Sequence, residues 1–367
     1  MLKMKEDFLK NFRYFSTLPY KKGSYKSRAW GHPIHSLLSY PSKLKPSIAY
    51  FLVKLFSKPG DTILDPFSGS GTIPFEACLQ GRKGVGVDIQ PLAYFSTKAK
   101  VYGITLNELE KQLDTLSKTI QKNKSKSYNV EDEIKEYYHK NTLSEILAAK
   151  SFLLKSKNDY SFLISCLAHI LHGNRPYALS RRSHNIMPWP PKGPTIYKNL
   201  IEKLTEKVHR MKSDALSNDF VKGESYQREV TNLGFKSSSM DSIITSPPFI
   251  YNRDFLRMNR IRLWFCGWDF KKQQLMRDSF IENVPDISLY SKVFQEFHRV
   301  LKKNSLCILH LGIVKNIDMA KELSVVAKES KFNVLKIKNE DSTSLESHGI
   351  RDRGATHTHQ FLFLRKN

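Results

Sequence analysis

The feature that most constrains the fold is a short glycine-rich segment between a strand and a helix. Residues 62–64 read as a buried strand, residues 73–79 have a helical pattern, and residues 85–87 form a second short strand that ends in Asp88. A strand, a helix and a second strand in this order are typical of a βαβ unit, whose strands lie parallel in one sheet. The chain is therefore expected to adopt an α/β fold.

The connection between the first strand and the helix has the composition of a ligand-binding turn. It comprises Asp65, Pro66, Phe67, Ser68, Gly69, Ser70, Gly71 and Thr72. The glycines allow close approach of a ligand to the backbone, and the helix N-terminus offers free N–H groups. No lysine follows the glycines, which excludes a phosphate-binding P-loop. Asp65 suits a cationic ligand, and Asp88 can accept hydrogen bonds from both hydroxyls of a ribose, so S-adenosylmethionine is favoured over NAD.

Three segments carry a resemblance to a known family. Residues 59–72 resemble the cofactor motif of S-adenosylmethionine-dependent amino methyltransferases, which modify N4 of cytosine or N6 of adenine in DNA. Residues 86–93 resemble the next motif, and residues 39–46 resemble the first segment, which by implication packs over the methionine end of the cofactor. An ordinary turn before a core helix also explains residues 39–46. The resemblance implies these cofactor-binding residues: Tyr40, Pro41, Asp65, Pro66, Phe67, Ser68, Gly69, Gly71, Thr72, Asp88 and Ile89.

A second motif follows the apolar strand at residues 241–245. It comprises Ser246, Pro247, Pro248 and Phe249, and the resemblance implies that this is the catalytic tetrapeptide. An exocyclic amine on a heteroaromatic ring is a poor nucleophile, so acceptors must draw it towards tetrahedral geometry. The Ser246 hydroxyl and the Pro247 carbonyl can accept such hydrogen bonds, and proline fixes the backbone there. Phe249 replaces the family's more usual Tyr and can stack on a flipped-out base. In isolation, the segment also fits a plain strand-ending turn.

The first residue of this tetrapeptide bears on the target. Within the family, Ser at this position tends to accompany cytosine N4, whereas Asp or Asn tends to accompany adenine N6. We therefore expect a site-specific enzyme that methylates cytosine N4 in double-stranded DNA by base flipping, in a restriction–modification system with a separate restriction endonuclease. The alternatives are an adenine-N6 DNA methyltransferase, an RNA amino methyltransferase with a similar turn, and an inactive nucleic-acid-binding protein of this fold.

The charge of the chain favours a polyanionic partner. The formal net charge is +24 and the sequence pI is near 9.7, although a merely solvated lysine-rich surface has the same composition. Two groups of residues are candidates for nucleic-acid contacts. Arg181, Arg182 and His184 lie in the proline-rich stretch 174–194, and Arg253, Arg257 and Arg260 share one face if the stretch after Phe249 is helical. For the proline-rich stretch, the alternative is a structural brace. For the stretch after Phe249, the alternative is a solvated helix face.

Hydrophobic periodicity divides the chain into three parts. Residues 1–102 hold the cofactor motifs, residues 103–218 have helical patterns and form an insertion that we expect to recognise the target, and residues 219–367 hold the catalytic motif. The predicted fold is a Rossmann-like class I methyltransferase sheet that ends in an antiparallel hairpin. A strand is expected at residues 220–221. The nearby Glu224 loosely matches the residue that borders the cofactor adenine in the family, and a surface position is the alternative.

Cysteine spacing and hydropathy exclude other classes. Four cysteines lie far apart without a CxxC pair, which argues against a disulfide scaffold and a metal site. No apolar run is long enough to span a bilayer. A cytoplasmic protein without membrane or metal is expected.

Overall fold

The computed structural model describes residues 2–27, 29–123, 130–184, 187, 189–212, 214–249, 255–280, 287–314, 317–341 and 356–367. The helices are α1 Leu2–Ser16, α2 Pro46–Phe56, α3 Thr72–Leu79, α4 Pro91–Val101, α5 Leu106–Asn123, α6 Asp132–Lys135, α7 Lys140–Lys155, α8 Ser161–Ile170, α9 Leu200–Met211, α10 Phe255–Phe265, α11 Phe270–Leu275, α12 Leu289–Val300 and α13 Met319–Glu329. The strands are β1 Thr62–Asp65, β2 Lys83–Asp88, β3 Glu224–Gln227, β4 Met240–Thr245, β5 Leu301–Val314, β6 Ile317–Asp318, β7 Phe332–Asp341 and β8 Thr356–Lys366.

The strands form one mixed sheet. Its order in the described part of the chain is β3-β2-β1-β4-β5-β8-β7, and the short β6 pairs with β5. The first five strands are parallel, whereas β8 runs antiparallel to both β5 and β7. The expected α/β sheet with a C-terminal antiparallel hairpin is confirmed. Because the carboxyl ends of parallel strands meet at one edge, Asp65, Asp88 and Thr245 end three strands on the same side of the molecule.

Alternate residues of each central strand enter different cores. In β4, Ile243 packs with the α12 and α13 side chains on one face, and Ile244 packs with the α1 and α2 side chains on the other. Because side chains alternate between the two faces of the sheet and both faces are buried, the central strands read as continuous apolar runs. The sheet is therefore held rigidly between two helical layers.

Helices α5 to α9 confirm the helical pattern of the middle of the chain. Their apolar side chains share one core with Phe75 of α3 and Leu92 of α4. Helix α5 begins with a capping box, in which the Thr105 N–H donates to Glu108 and the Glu108 N–H donates to the Thr105 hydroxyl. The division into 1–102, 103–218 and 219–367 stays a prediction, as does target recognition by the middle part.

The strand expected at 220–221 is wrong. The Val221 N–H donates to the carbonyl of Cys78 in α3, and the Gly223 N–H donates to the carbonyl of Val101 in α4. This segment therefore crosses two helix ends before the chain enters the sheet at Glu224. None of the described helices has the length and apolar character needed to cross a membrane.

Candidate active site

The glycine turn between β1 and α3 is shaped by close backbone packing. Gly69 and Gly71 have positive φ angles of 48° and 77°, a conformation that favours glycine. A Cβ at Gly71 would lie 2.8 Å from the Thr97 Cα atom, and one at Gly69 would lie 3.3 Å from the Tyr40 ring. The Tyr40 ring therefore lies against the turn, and the buried Pro41 follows it.

The carboxyl group of Asp65 joins the turn to the end of β4. It is buried, and its Oδ1 accepts hydrogen bonds from the Phe67 N–H at 3.2 Å and from the Thr245 hydroxyl at 2.6 Å. Burial raises the pKa of Asp65 to about 7. Asp65 therefore acts as a brace between the glycine turn and the end of β4, two segments that are far apart in the sequence.

Asp88 is fixed beside the same turn. Its Oδ2 accepts from the Gly69 N–H and its Oδ1 accepts from the Gln90 N–H, both at 3.0 Å. Burial raises the pKa of Asp88 to about 6. Because each carboxylate oxygen has two lone pairs, both oxygens keep acceptor capacity for a ligand. Ile89, which follows, is half-buried.

The remaining predicted residues of the turn support it from within. The Ser68 N–H donates to the Val87 carbonyl at 3.0 Å, and the Ser68 hydroxyl accepts from Thr97. Thr72 is buried, and its hydroxyl lies 3.2 Å from that of Ser70. Pro66 is buried as well, and the Phe67 ring packs against the α12 layer.

Ser246, Pro247, Pro248 and Phe249 leave the sheet directly after Thr245. Ser246 is half-buried, and its Oγ lies 3.0 Å from Nδ1 of His310 in β5. The Pro248 carbonyl accepts from the Tyr290 hydroxyl at 3.4 Å. Through the Asp65–Thr245 contact, the tetrapeptide and the glycine turn lie at one edge of the sheet.

His310 was missed in the sequence analysis. It is buried, and its ring centroid lies 5.1 Å from those of His359 and Phe361 and 5.8 Å from that of Phe249. Burial lowers the pKa of His310 well below its usual range, so the imidazole is neutral at pH 7. The only sequence signal was a histidine within an apolar strand, which by itself does not distinguish a core residue from a site residue.

Glu224 does not reach this edge. It begins β3 opposite Val85, and its carboxylate accepts from Lys83 Nζ at 2.6 Å with 42% of the side chain exposed. Its register places it three residues before the end of β3, where the surface interpretation fits, and its cofactor role stays a prediction. Gln227, opposite Asp88, occupies the edge instead and donates to the Ile89 carbonyl at 3.1 Å. Correct placement of β3 would have identified it.

The residues of the proline-rich stretch divide into a brace and an exposed group. Arg181 donates to the carbonyls of Gly193 and Glu136 at 2.8 and 3.2 Å, so it braces the loop. Arg182 and His184 are exposed. The His184 ring stacks on that of Trp189, which is 57% exposed.

The arginines after Phe249 also differ. Arg260 makes a bidentate pair with Glu133 at 3.0 and 2.7 Å, and its guanidinium lies over the Phe270 ring. This engagement makes Arg260 a link between α10 and α6, and its nucleic-acid contact stays a prediction. Arg257 is exposed on α10, and Arg253 lies outside the described residues.

Two further features of the described residues are the arrangement of metal-ligating side chains and the state of the cysteines. Within the described ranges, no group of three or more His, Cys, Asp or Glu side chains could hold a metal ion. Cys78, Cys166, Cys266 and Cys307 are free and buried.

Comparison with known families finds a similarity in the part of the chain that holds the turn. Residues 36–148 match the model of UPF0020, described as an RMKL-like methyltransferase domain. This segment runs from before α2 into the helical middle of the chain and includes Tyr40, Asp65 and Asp88.

Individual relatives extend the similarity. The chain is 22% identical over 312 residues to the Type II methyltransferase M.BsoBI of Geobacillus stearothermophilus, covering 76% of this chain and 61% of the relative. It is 31% identical over 129 residues to the Type II methyltransferase M.MjaII of Methanocaldococcus jannaschii, covering 35% and 23%. A segment of 69 residues is 44% identical to the tRNA (guanine(10)-N2)-dimethyltransferase of Methanothermobacter thermautotrophicus, covering 18% and 20%. The chain thus spans less than two thirds of the length of each relative.

Proposed function

We propose that the protein is an S-adenosylmethionine-dependent methyltransferase that modifies an exocyclic amine of a nucleic-acid base, with N4 of cytosine in duplex DNA as the target. The contact between Asp65 and Thr245 carries this proposal, because it joins the glycine turn to Ser246 at one edge of the sheet. The match of residues 36–148 to a methyltransferase domain supports the same activity.

The turn and Asp88 suit S-adenosylmethionine. Asp88 would accept hydrogen bonds from the ribose, the backbone at Gly69 and Gly71 would lie against the cofactor, and Tyr40 would cover its methionine end. When bound, the cofactor supplies a methyl group on a sulfonium, which is an activated donor.

The tetrapeptide supplies what the target amine needs. The Ser246 hydroxyl and the Pro247 carbonyl would accept hydrogen bonds from the amine, which orients its lone pair towards the methyl group. The fixed φ of Pro247 holds its carbonyl in place. Phe249, which is half-buried beside His310, would stack on the flipped base.

The net charge of +24 supports a nucleic-acid substrate. We propose that residues 103–218 contribute target recognition, with Arg182, His184 and Trp189 as an exposed basic and aromatic surface. The names of the two Type II relatives favour DNA within a restriction–modification system, and a separate endonuclease would complete it. The similarity to a tRNA dimethyltransferase makes an RNA amine the second candidate.

Mass spectrometry of nucleosides tests the target. The purified protein is incubated with methyl-deuterated S-adenosylmethionine and, in separate reactions, with unmethylated DNA and with unmodified tRNA. Labelled N4-methylcytosine from DNA is the expected product. Labelled N6-methyladenine would correct the base, and label only in tRNA would establish the second candidate. The DNA and tRNA substrates contain many different sequences. Absence of label from both substrates, in a protein that binds S-adenosylmethionine, would therefore contradict the proposed activity.

A further inference from the structure

The sheet fixes His310 next to Ser246. Strands β4 and β5 are parallel neighbours, and the Cα atom of Thr245 pairs with that of Leu309. Ser246 directly follows the end of β4, and His310 follows Leu309 within β5, so the sheet register brings the two residues to their 3.0 Å contact. A contact set by register is preorganised and needs no loop to close over it.

The two nitrogens of the His310 ring have different surroundings. Nδ1 faces the Ser246 hydroxyl, whereas Nε2 is buried and has no hydrogen-bond partner among the described residues. The rings of His359 and Phe361 pack around the imidazole. Among the described residues, the polar contact that connects His310 to the site is therefore the one at Nδ1.

A serine hydroxyl has one proton and two lone pairs. If Ser246 is to accept a hydrogen bond from a target amine, its own proton must point away from that amine. A neutral imidazole whose ring proton lies on Nε2 has a lone pair on Nδ1 that can accept this proton, and burial keeps the imidazole of His310 neutral. The lone pairs of Ser246 Oγ then remain available to the amine.

We propose that His310 is a positioning residue that accepts the Ser246 hydroxyl proton and so presents the lone pairs of Ser246 to the target amine. The inference rests on the proposed methyltransferase function, because it assigns His310 a role only through Ser246. His310 itself contacts neither the target nor the cofactor in this scheme, and it takes no proton from the reaction.

Two substitutions separate this role from simple packing. His310→Asn keeps a polar atom near the Nδ1 position but removes the ring, whereas His310→Phe keeps a ring against His359 and Phe361 but removes the nitrogen. We expect His310→Phe to lower the single-turnover methylation rate about 10- to 100-fold, and His310→Asn to retain most of the rate. The affinity for S-adenosylmethionine should not change in either variant. The opposite order of rates would assign His310 a packing role and overturn the proposal.

A double substitution tests whether the effect passes through Ser246. When Ser246→Ala is combined with His310→Phe, the rate should equal that of Ser246→Ala alone, because residues that act as one unit are not additive. A further loss equal to that of His310→Phe in the wild type would contradict the proposal. Thermal unfolding of each variant controls for the fold.

A readout without activity separates this inference from the proposed function. In ¹⁵N-labelled protein, the chemical shift of His310 Nδ1 should be that of an unprotonated nitrogen that accepts a hydrogen bond. In Ser246→Ala, this chemical shift should move towards that of an unprotonated nitrogen without a hydrogen bond. A protonated Nδ1 would overturn the inference even if methyl transfer is observed. The expected shift would support it even if the target base differs from cytosine.

Discussion

Thr245 donates a hydrogen bond of 2.6 Å to Asp65, although the two residues are 180 positions apart in the sequence. Each residue ends a parallel strand, and β1 and β4 are neighbours in the sheet. This contact fixes the cofactor turn relative to Ser246, which is the next residue after Thr245. The proposed donor and acceptor sites are therefore parts of one rigid edge.

Thr245→Val should destabilise the protein. The variant keeps the shape of the side chain but leaves the buried Asp65 carboxyl without its hydroxyl donor, which costs about 1–3 kcal/mol in the free energy of unfolding. Thr245→Ser, which keeps the hydroxyl, is the matched control and should lose less. Urea denaturation measures both values. Equal stability of the Val and Ser variants would show that the contact contributes little.

Gly71→Ala should be more damaging than Gly60→Ala. Both residues have positive φ angles, of 77° and 86°, but a Cβ at Gly71 meets Thr97 at 2.8 Å whereas one at Gly60 meets nothing within 4 Å. The Gly60 variant should lose about 1 kcal/mol from the backbone conformation alone. The Gly71 variant should lose more and should bind S-adenosylmethionine weakly. Chemical denaturation and calorimetric titration check these outcomes, and equal losses would contradict the packing argument.

The affinity for S-adenosylmethionine should depend on pH through Asp88. The pKa of Asp88 is raised to about 6, so the carboxylate that accepts from the ribose is present above this pH and is protonated below it. The dissociation constant should therefore rise about tenfold as the pH falls from about 8 to about 5. Calorimetric titration across this range measures it.

Asp88→Asn is the control for this pH dependence. It should bind the cofactor weakly at pH 8 and should lack the inflection near pH 6. Asp114→Asn changes an exposed residue of α5 and should behave as the wild type. Retention of the inflection in Asp88→Asn would assign it to another group, such as Asp65.

Substitutions of arginine should distinguish surface contacts from structural ones. Arg182→Gln should weaken DNA binding and reduce its salt dependence, because Arg182 is exposed in the same stretch of the chain as the His184–Trp189 stack. Arg260→Gln should leave DNA binding unchanged, because the guanidinium of Arg260 is engaged by Glu133. Fluorescence anisotropy at several salt concentrations compares the two. A loss of affinity only in Arg260→Gln would reverse the assignment.

Local patterns predicted the βαβ unit and the C-terminal hairpin, because each depends on residues that are close in sequence. The strand at 220–221 was predicted wrongly because Val221 pairs with a helix end that its own sequence does not reveal. Glu224 lies at the start of β3 and not at its end, since a shift in strand position moves a residue along the sheet. The pairing of Arg260 with Glu133 and the contact of Ser246 with His310 depend on tertiary structure, so spacing alone did not predict them.

The central claim is that Ser246 contacts the target amine at the edge that binds the cofactor. The most direct test is the single-turnover rate of methyl transfer to DNA by Ser246→Ala at saturating S-adenosylmethionine, with Ser24→Ala as an exposed serine control. The account predicts a loss of about 100-fold or more for Ser246→Ala, with unchanged affinity for the cofactor and a wild-type rate for Ser24→Ala. A full rate in Ser246→Ala would contradict the account.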